Sequence, residues 1–228
     1  MMKSPLVIVN FKAYAQASGN NAVELAKICE SVAEEYFVDV AVAVQPVDIA
    51  RVSEEVGIPV FAQHIDAISP GSHTGWILPE TIKDAGASGS LINHSEHRLK
   101  LADIDYLIDK LRSMGLTSLV CTNNPSTSKA AASLNPDMIA VEPPELIGTG
   151  ISVSRAKPEV ITSTVDLVRS INKDVIILCG AGVSSQEDVE KAIELGSQGV
   201  LLASYVTKAK DPKEAMISIV NGIVSSRG

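Results

Sequence analysis

Short apolar runs rich in β-branched residues recur along the chain, and most are followed by stretches whose apolar residues fall three and four apart. The runs are LVIVN at 6–10, VDVAVAV at 38–44, IPVFAQ at 58–63, GSLIN at 89–93, TSLVC at 117–121, DMIAVE at 137–142, DVIILC at 174–179 and GVLLA at 199–203. Their near-continuous apolar character predicts strands covered on both faces, the pattern of a parallel sheet under helices. Between them, 21–36, 103–115 and 184–196 carry the period of amphipathic helices. Gly115 and Gly196 stand where helices stop, and Ser184 with Glu187 has the spacing of a capping box. Eight strand–helix units with no linker or low-complexity break predict one α/β domain over 1–228, a closed (β/α)8 barrel. A doubly wound open sheet is the competing arrangement.

Composition narrows the function. The 228 residues carry 19 Lys and Arg against 27 Asp and Glu, a net charge of −8, which argues against a nucleic-acid or anionic-membrane partner. An anionic ligand must then be held locally, by backbone N–H groups or a few placed cations. Cys29, Cys121 and Cys179 have no C-x-x-C spacing and fit a reducing compartment. The apolar stretch at the N-terminus is short and is broken by Asn10 and Lys12, unlike a secretory signal. No run approaches the ~18 apolar residues of a spanning helix. A soluble cytoplasmic protein is expected.

In a barrel of this kind, chemistry gathers where the strands end. The loops after strands seven and eight, CGAGVSS (179–185) and LAS (202–204), suit an anion: glycines admit it to the backbone, and a helix N-terminus follows. A plain tight turn at Gly180 and Gly182 is the simpler reading. Glu142 ends an otherwise apolar strand and precedes Pro143 and Pro144, a placement for a general base or for a rim ion pair. The segment after it, PPELIGTG, has rigid prolines at one end and Gly148 and Gly150 at the other, as a closing lid requires. His94 stands at the fourth strand end, where a neutral imidazole could donate to a substrate oxygen. It has His97 three residues on but no converging set of metal ligands, so no metal is expected. Asn10 and Lys12 are two apart, which on a strand directs both side chains to one side; a solvated rim lysine is the alternative for Lys12.

Taken together, N-F-K after strand one, N-H-S-E after strand four, V-E-P-P-E-L-I-G-T-G after strand six, G-A-G-V after strand seven and L-A-S after strand eight resemble the triosephosphate isomerase family nearly end to end. The resemblance implies a TIM barrel and an aldose–ketose isomerase of glycolysis and gluconeogenesis acting on a small phosphorylated triose, with no cofactor. It implies Glu142 as proton acceptor and His94 as neutral electrophile, roles already known for that family. Asn10 and Lys12 would contact substrate, with Lys12 also facing Glu96. Backbone groups of Ile147, Gly148, Gly182, Ala203 and Ser204 would hold the phosphate.

The lid's Pro143-Pro144-Glu145 stands where most members have Pro-Val-Trp, and Gly180-Ala181-Gly182 where they have Gly-Gly-Ser. Asn93 replaces a usual Gly, and His97 a usual Arg. These departures resemble the compact archaeal branch, whose members are commonly tetramers, so a homo-oligomer is expected, with a tetramer favoured over a dimer. Trp76, the only Trp, lies in a segment similar to the family's third loop, which packs across a subunit boundary. The alternatives are another phosphate-binding barrel enzyme, such as a phosphoribosylanthranilate isomerase, and a non-catalytic phosphate-binding barrel. The first offers no reason for Asn10-x-Lys12 or for the lid, and the second would be expected to lose Glu142, His94 or Lys12.

Overall fold

A computed structural model describes residues 5–146 and 152–227. Eight parallel strands, β1 (Leu6–Asn10), β2 (Asp39–Val44), β3 (Val60–Ala62), β4 (Gly89–Ile92), β5 (Thr117–Thr122), β6 (Met138–Val141), β7 (Ile176–Gly180) and β8 (Gly199–Leu202), pair in chain order. β8 returns to β1 with Leu6–Val9 against Gly199–Leu202, which closes the barrel and excludes the open sheet. The crossovers carry α1 (Asn20–Tyr36), α2 (Ile49–Ser53), α3 (Pro79–Asp84), α4 (Leu101–Met114), α5 (Pro125–Ala132), α6 (Val153–Ala156), α7 (Pro158–Arg169), α8 (Gln186–Glu194), α9 (Ser204–Thr207) and α10 (Pro212–Ser225). Among the described residues, no helix is long and apolar enough to cross a membrane.

Strand alternation divides the apolar residues into two cores. Leu6 and Ile8 join Ala41, Ala43, Phe61 and Leu119 in the barrel interior, while Val7 and Val9 pack outward among the helix side chains. Each fully buried Val, Leu or Ile removed from water in this way contributes about 1.5–3 kcal/mol. Interior alanines leave room for Phe61, the one aromatic among the interior residues.

Element ends differ from expectation where local chemistry intervenes. β3 is shortened to Val60–Ala62: Pro59 has no N–H to give the ladder, although its carbonyl still accepts from Val42 at 3.0 Å. α4 stops at Gly115, whose φ of 73° places its N–H on the carbonyls of Leu111 and Arg112. At α8 the capping residue is Ser185 and not Ser184. Its hydroxyl accepts from the Asp188 N–H at 3.2 Å, while Ser184 turns its own N–H and hydroxyl onto the Asp188 carboxylate.

Candidate active site

The C-terminal ends of the strands surround a cavity of about 210 Å3, whose lining includes Asn10, Lys12, His94, Glu142, Gly182 and Ser204. Ala203 lines it as well. Residues brought in from β1, β4, β6, β7 and β8, up to 194 positions apart in sequence, thus converge at one mouth. Ile147 and Gly148 lie outside the described residues.

β1 ends at Asn10, and Lys12 follows in a left-handed turn at φ 50°. Strand alternation therefore does not aim Lys12; the turn does. Asn10 Oδ1 accepts from the Lys12 N–H at 3.0 Å, and Gln63 Nε2 donates to the Lys12 carbonyl at 2.9 Å. Those two bonds hold a conformation that a side chain with a Cβ adopts only at a cost. The Lys12 ammonium meets Glu96 Oε1 at 2.8 Å, with the lysine side chain only 13% exposed. Gln63, a strand-end residue in the sequence, proves to be a support for the lysine turn.

Asn93, at φ 62°, occupies a backbone position that glycine adopts freely. Its side chain compensates, donating to the Cys121 carbonyl at 2.9 Å and accepting from the Leu99 N–H at 2.9 Å. The next residue, His94, is buried, and its Nδ1 accepts from the Glu96 N–H at 3.2 Å. That contact uses Nδ1 as an acceptor and leaves Nε2 as the ring nitrogen available to donate. That nitrogen is directed to the centre of the site.

Across from it, Glu142 is 5% exposed and ends β6 with its own N–H on the Thr122 carbonyl. Glu142 Oε2 lies 3.7 Å from His94 Nε2, beyond hydrogen-bonding distance, and is buried without a hydrogen-bond partner among the described residues. Leaving a buried carboxylate oxygen unpaired is costly, of order 1–3 kcal/mol or more. Such an atom is held in readiness for something else.

Gly180 makes room for this carboxylate. A Cβ at residue 180 would stand 2.3 Å from Glu142 Cγ and 3.0 Å from Cδ. The sequence places Gly180 in an anion turn, but its closest neighbour is the glutamate stem. Cys121 lies behind the same group. Burial, and then the negative charge of Glu142, push its thiol well above the usual range and keep it protonated.

On the opposite wall, Ala181 and Gly182 both sit at φ 71° and lead through Val183 and Ser184 into α8. Leu202 and Ala203 lead into α9. Tyr14 and Tyr205 complete the rim, and neither was marked by any motif. Lys208 Nζ lies 4.1 Å from the centre of the Tyr14 ring. At the lid's base, Glu145 in the Pro144–Leu146 turn is ion-paired with Lys157 beyond α6.

Away from the mouth, His64 and His97 stack with ring centres 3.7 Å apart, and His64 Nε2 meets Asp66 at 3.1 Å. Burial holds the His64 imidazole below its usual value, opposed by the Asp66 hydrogen bond and aided by a His97 charge. Trp76 is 57% exposed in the single chain, with His73 as its ring neighbour.

A closed parallel barrel whose mouth sets a buried carboxylate near an imidazole has the arrangement of a (β/α)8-barrel enzyme of acid–base chemistry. The family model for triosephosphate isomerase matches residues 5–223. The triosephosphate isomerase of Methanothermus fervidus is 58% identical over 96% of this chain and 99% of its own length. That of Methanocaldococcus jannaschii is 57% identical over 96% of the chain and all of its own. The Methanosarcina barkeri enzyme is 52% identical over 96% and 99%. The chain belongs to the triosephosphate isomerase family.

Proposed function

We propose that the protein interconverts dihydroxyacetone phosphate and D-glyceraldehyde 3-phosphate, the step shared by glycolysis and gluconeogenesis. The single observation that carries the reading is the buried Glu142 Oε2, without a hydrogen-bond partner among the described residues, 3.7 Å from Nε2 of the buried His94. Glu142 removes a proton from the carbon beside the carbonyl. The carbonyl oxygen takes up the developing charge, stabilised by the His94 N–H and the Lys12 ammonium. Return of that proton to the adjacent carbon, with the hydroxyl proton passed from the neighbouring oxygen to the former carbonyl oxygen by way of His94, completes the isomerisation with no net gain or loss of atoms or electrons. Asn10 orients the substrate beside Lys12, and Glu96 holds the lysine.

Backbone N–H groups of Gly182, Ala203 and Ser204 take the phosphate, joined by Ile147 and Gly148 of the lid. The protein works in the cytoplasm without a metal or organic cofactor. Nothing in the site favours the alternatives, a phosphoribosylanthranilate isomerase or a non-catalytic barrel.

A coupled assay of dihydroxyacetone phosphate conversion by purified protein tests the reaction. Glu142→Asp retracts the carboxylate by about one methylene and is expected to lower kcat ~10²-fold with KM little changed. Wild-type kcat in that variant would remove Glu142 from the base role. We further propose a homotetramer assembled through the Trp76 segment, since a large ring left half in water suits an interface. Light scattering is expected to give a mass well above 24.0 kDa. A fully active species at the single-chain mass would overturn the assembly and leave the active-site reading standing.

A further inference from the structure

We propose that Asp188, which does not line the cavity, is a positioning residue that presets the anion-binding turn; the proposal rests on the phosphate site described above. Asp188 is in the first turn of α8 and only 3% exposed. Its Oδ2 accepts from the Ser184 N–H at 2.9 Å and from the Ser184 hydroxyl at 3.1 Å. Its Oδ1 lies 2.6 Å from Arg155 Nε on α6, an ion pair whose angles fall outside those of a hydrogen bond. The main chain is engaged too: the Asp188 carbonyl accepts from the Ser154 hydroxyl at 3.1 Å. One buried side chain thus ties the far leg of the 181–185 turn to a separate element.

That element is fastened to the turn twice more. The Val153 N–H donates to the Ala181 carbonyl at 3.3 Å, and Arg155 Nη2 donates to the Ser185 hydroxyl at 3.2 Å. The turn needs such fastening because Ala181 and Gly182 are consecutive left-handed residues, and alanine does not hold that conformation unaided. With Ser184 pulled back onto Asp188, the section that faces the cavity is fixed before an anion arrives, so binding does not have to order it.

Electrostatics explains why Arg155 belongs to the unit. A bare carboxylate behind an anion site would repel the ligand across a poorly screened interior. The Arg155 guanidinium cancels that charge while leaving both Ser184 bonds in place. An asparagine at 188 would keep one acceptor for Ser184 but turn an NH2 group toward the guanidinium, donor against donor. Replacing Arg155 alone would keep the bonds and expose the charge. Both changes therefore weaken anion binding, by different routes.

The test titrates inorganic phosphate into wild type, Asp188→Asn, Arg155→Gln and the double variant by calorimetry, alongside steady-state kinetics and thermal midpoints. Each single variant is expected to raise the phosphate Kd and the substrate KM roughly tenfold, with kcat reduced much less. The double variant, in which a neutral Asn–Gln pair removes both the exposed charge and the donor-against-donor contact, is expected to recover much of that loss. A lowered thermal midpoint with phosphate Kd and KM within about twofold of wild type would reduce Asp188 to a structural residue and overturn the proposal. If Asp188→Asn does not fold, Arg155→Gln decides the matter by the same readouts. A wild type that binds no phosphate would instead remove the phosphate site itself, and this proposal with it.

Discussion

The two ends of the barrel both hold cavities, and the larger one is the quieter. At the N-terminal end a space of about 520 Å3, more than twice the 210 Å3 at the mouth, is lined by Phe61, Arg112, Asp137, Met138 and Ile176 among others. Several of its polar groups are paired with one another or with the main chain. Asp137 Oδ2 accepts from the Ser118 N–H and hydroxyl, both at 2.8 Å, and Arg112 is paired with Asp109 while also donating to the Asn135 carbonyl.

At the mouth, one oxygen of the buried Glu142 carboxylate has no hydrogen-bond partner among the described residues. Three residues other than glycine that follow strands, Lys12, Asn93 and Ala181, are held at positive φ. Asn135 near the other end is also left-handed, but it follows a helix, where such a residue is an ordinary stop. Strained strand ends around a buried carboxylate, not volume, mark the end where chemistry is done.

The contrast can be broken most forcefully at Gly180. Gly180→Ala would drive a methyl into the stem of Glu142, and a displacement of the base by about 1 Å is expected to cost ~10²-fold in kcat. Steady-state kinetics on the purified variant check this; kcat within twofold of wild type would show that the carboxylate is not held where the cavity requires it.

The opposite end should respond in stability instead. Asp137→Ala strips two hydrogen bonds from the buried Ser118 and is expected to cost about 1–3 kcal/mol, lowering the thermal midpoint by several degrees while kcat stays unchanged. A fall in kcat there would erase the distinction between the ends.

The smallest effect concerns His64, away from the mouth. Its folded imidazole takes a proton less readily than the unfolded chain's, because burial outweighs the Asp66 hydrogen bond. Its contribution to stability is therefore full above about pH 6.5 and drains away as pH falls through the lowered folded value. Thermal midpoints of wild type and His64→Gln, compared at pH 7.5 and 5.5, should differ in this slope by about a degree or two. Parallel slopes would show that another group carries the acid sensitivity.

Much of this architecture is written in local pattern. The eight apolar runs and the helical periods between them predict the barrel because both faces of every strand must be buried, and a sheet closed under helices satisfies all eight at once. The motif residues Asn10, Lys12, His94, Glu142, Gly182, Ala203 and Ser204 were legible because polar side chains and small residues at the ends of apolar strands stand out from their neighbours; all seven line the one mouth.

What the sequence alone could not supply is every relation that depends on distance in space. The 3.7 Å between His94 and Glu142 links the ends of β4 and β6, two strands with β5 between them. The need for glycine at 180 comes from the stem of a glutamate on the adjacent strand. The capping serine shifts from 184 to 185 because Asp188 claims Ser184, and Asp188 is claimed in turn by Arg155 on another element. Hydrophobic periodicity decides which face of an element is buried, a one-dimensional property. Which buried polar atom is satisfied, and which is left waiting, is decided only when the chain has closed on itself and the donors and acceptors have been counted in three dimensions.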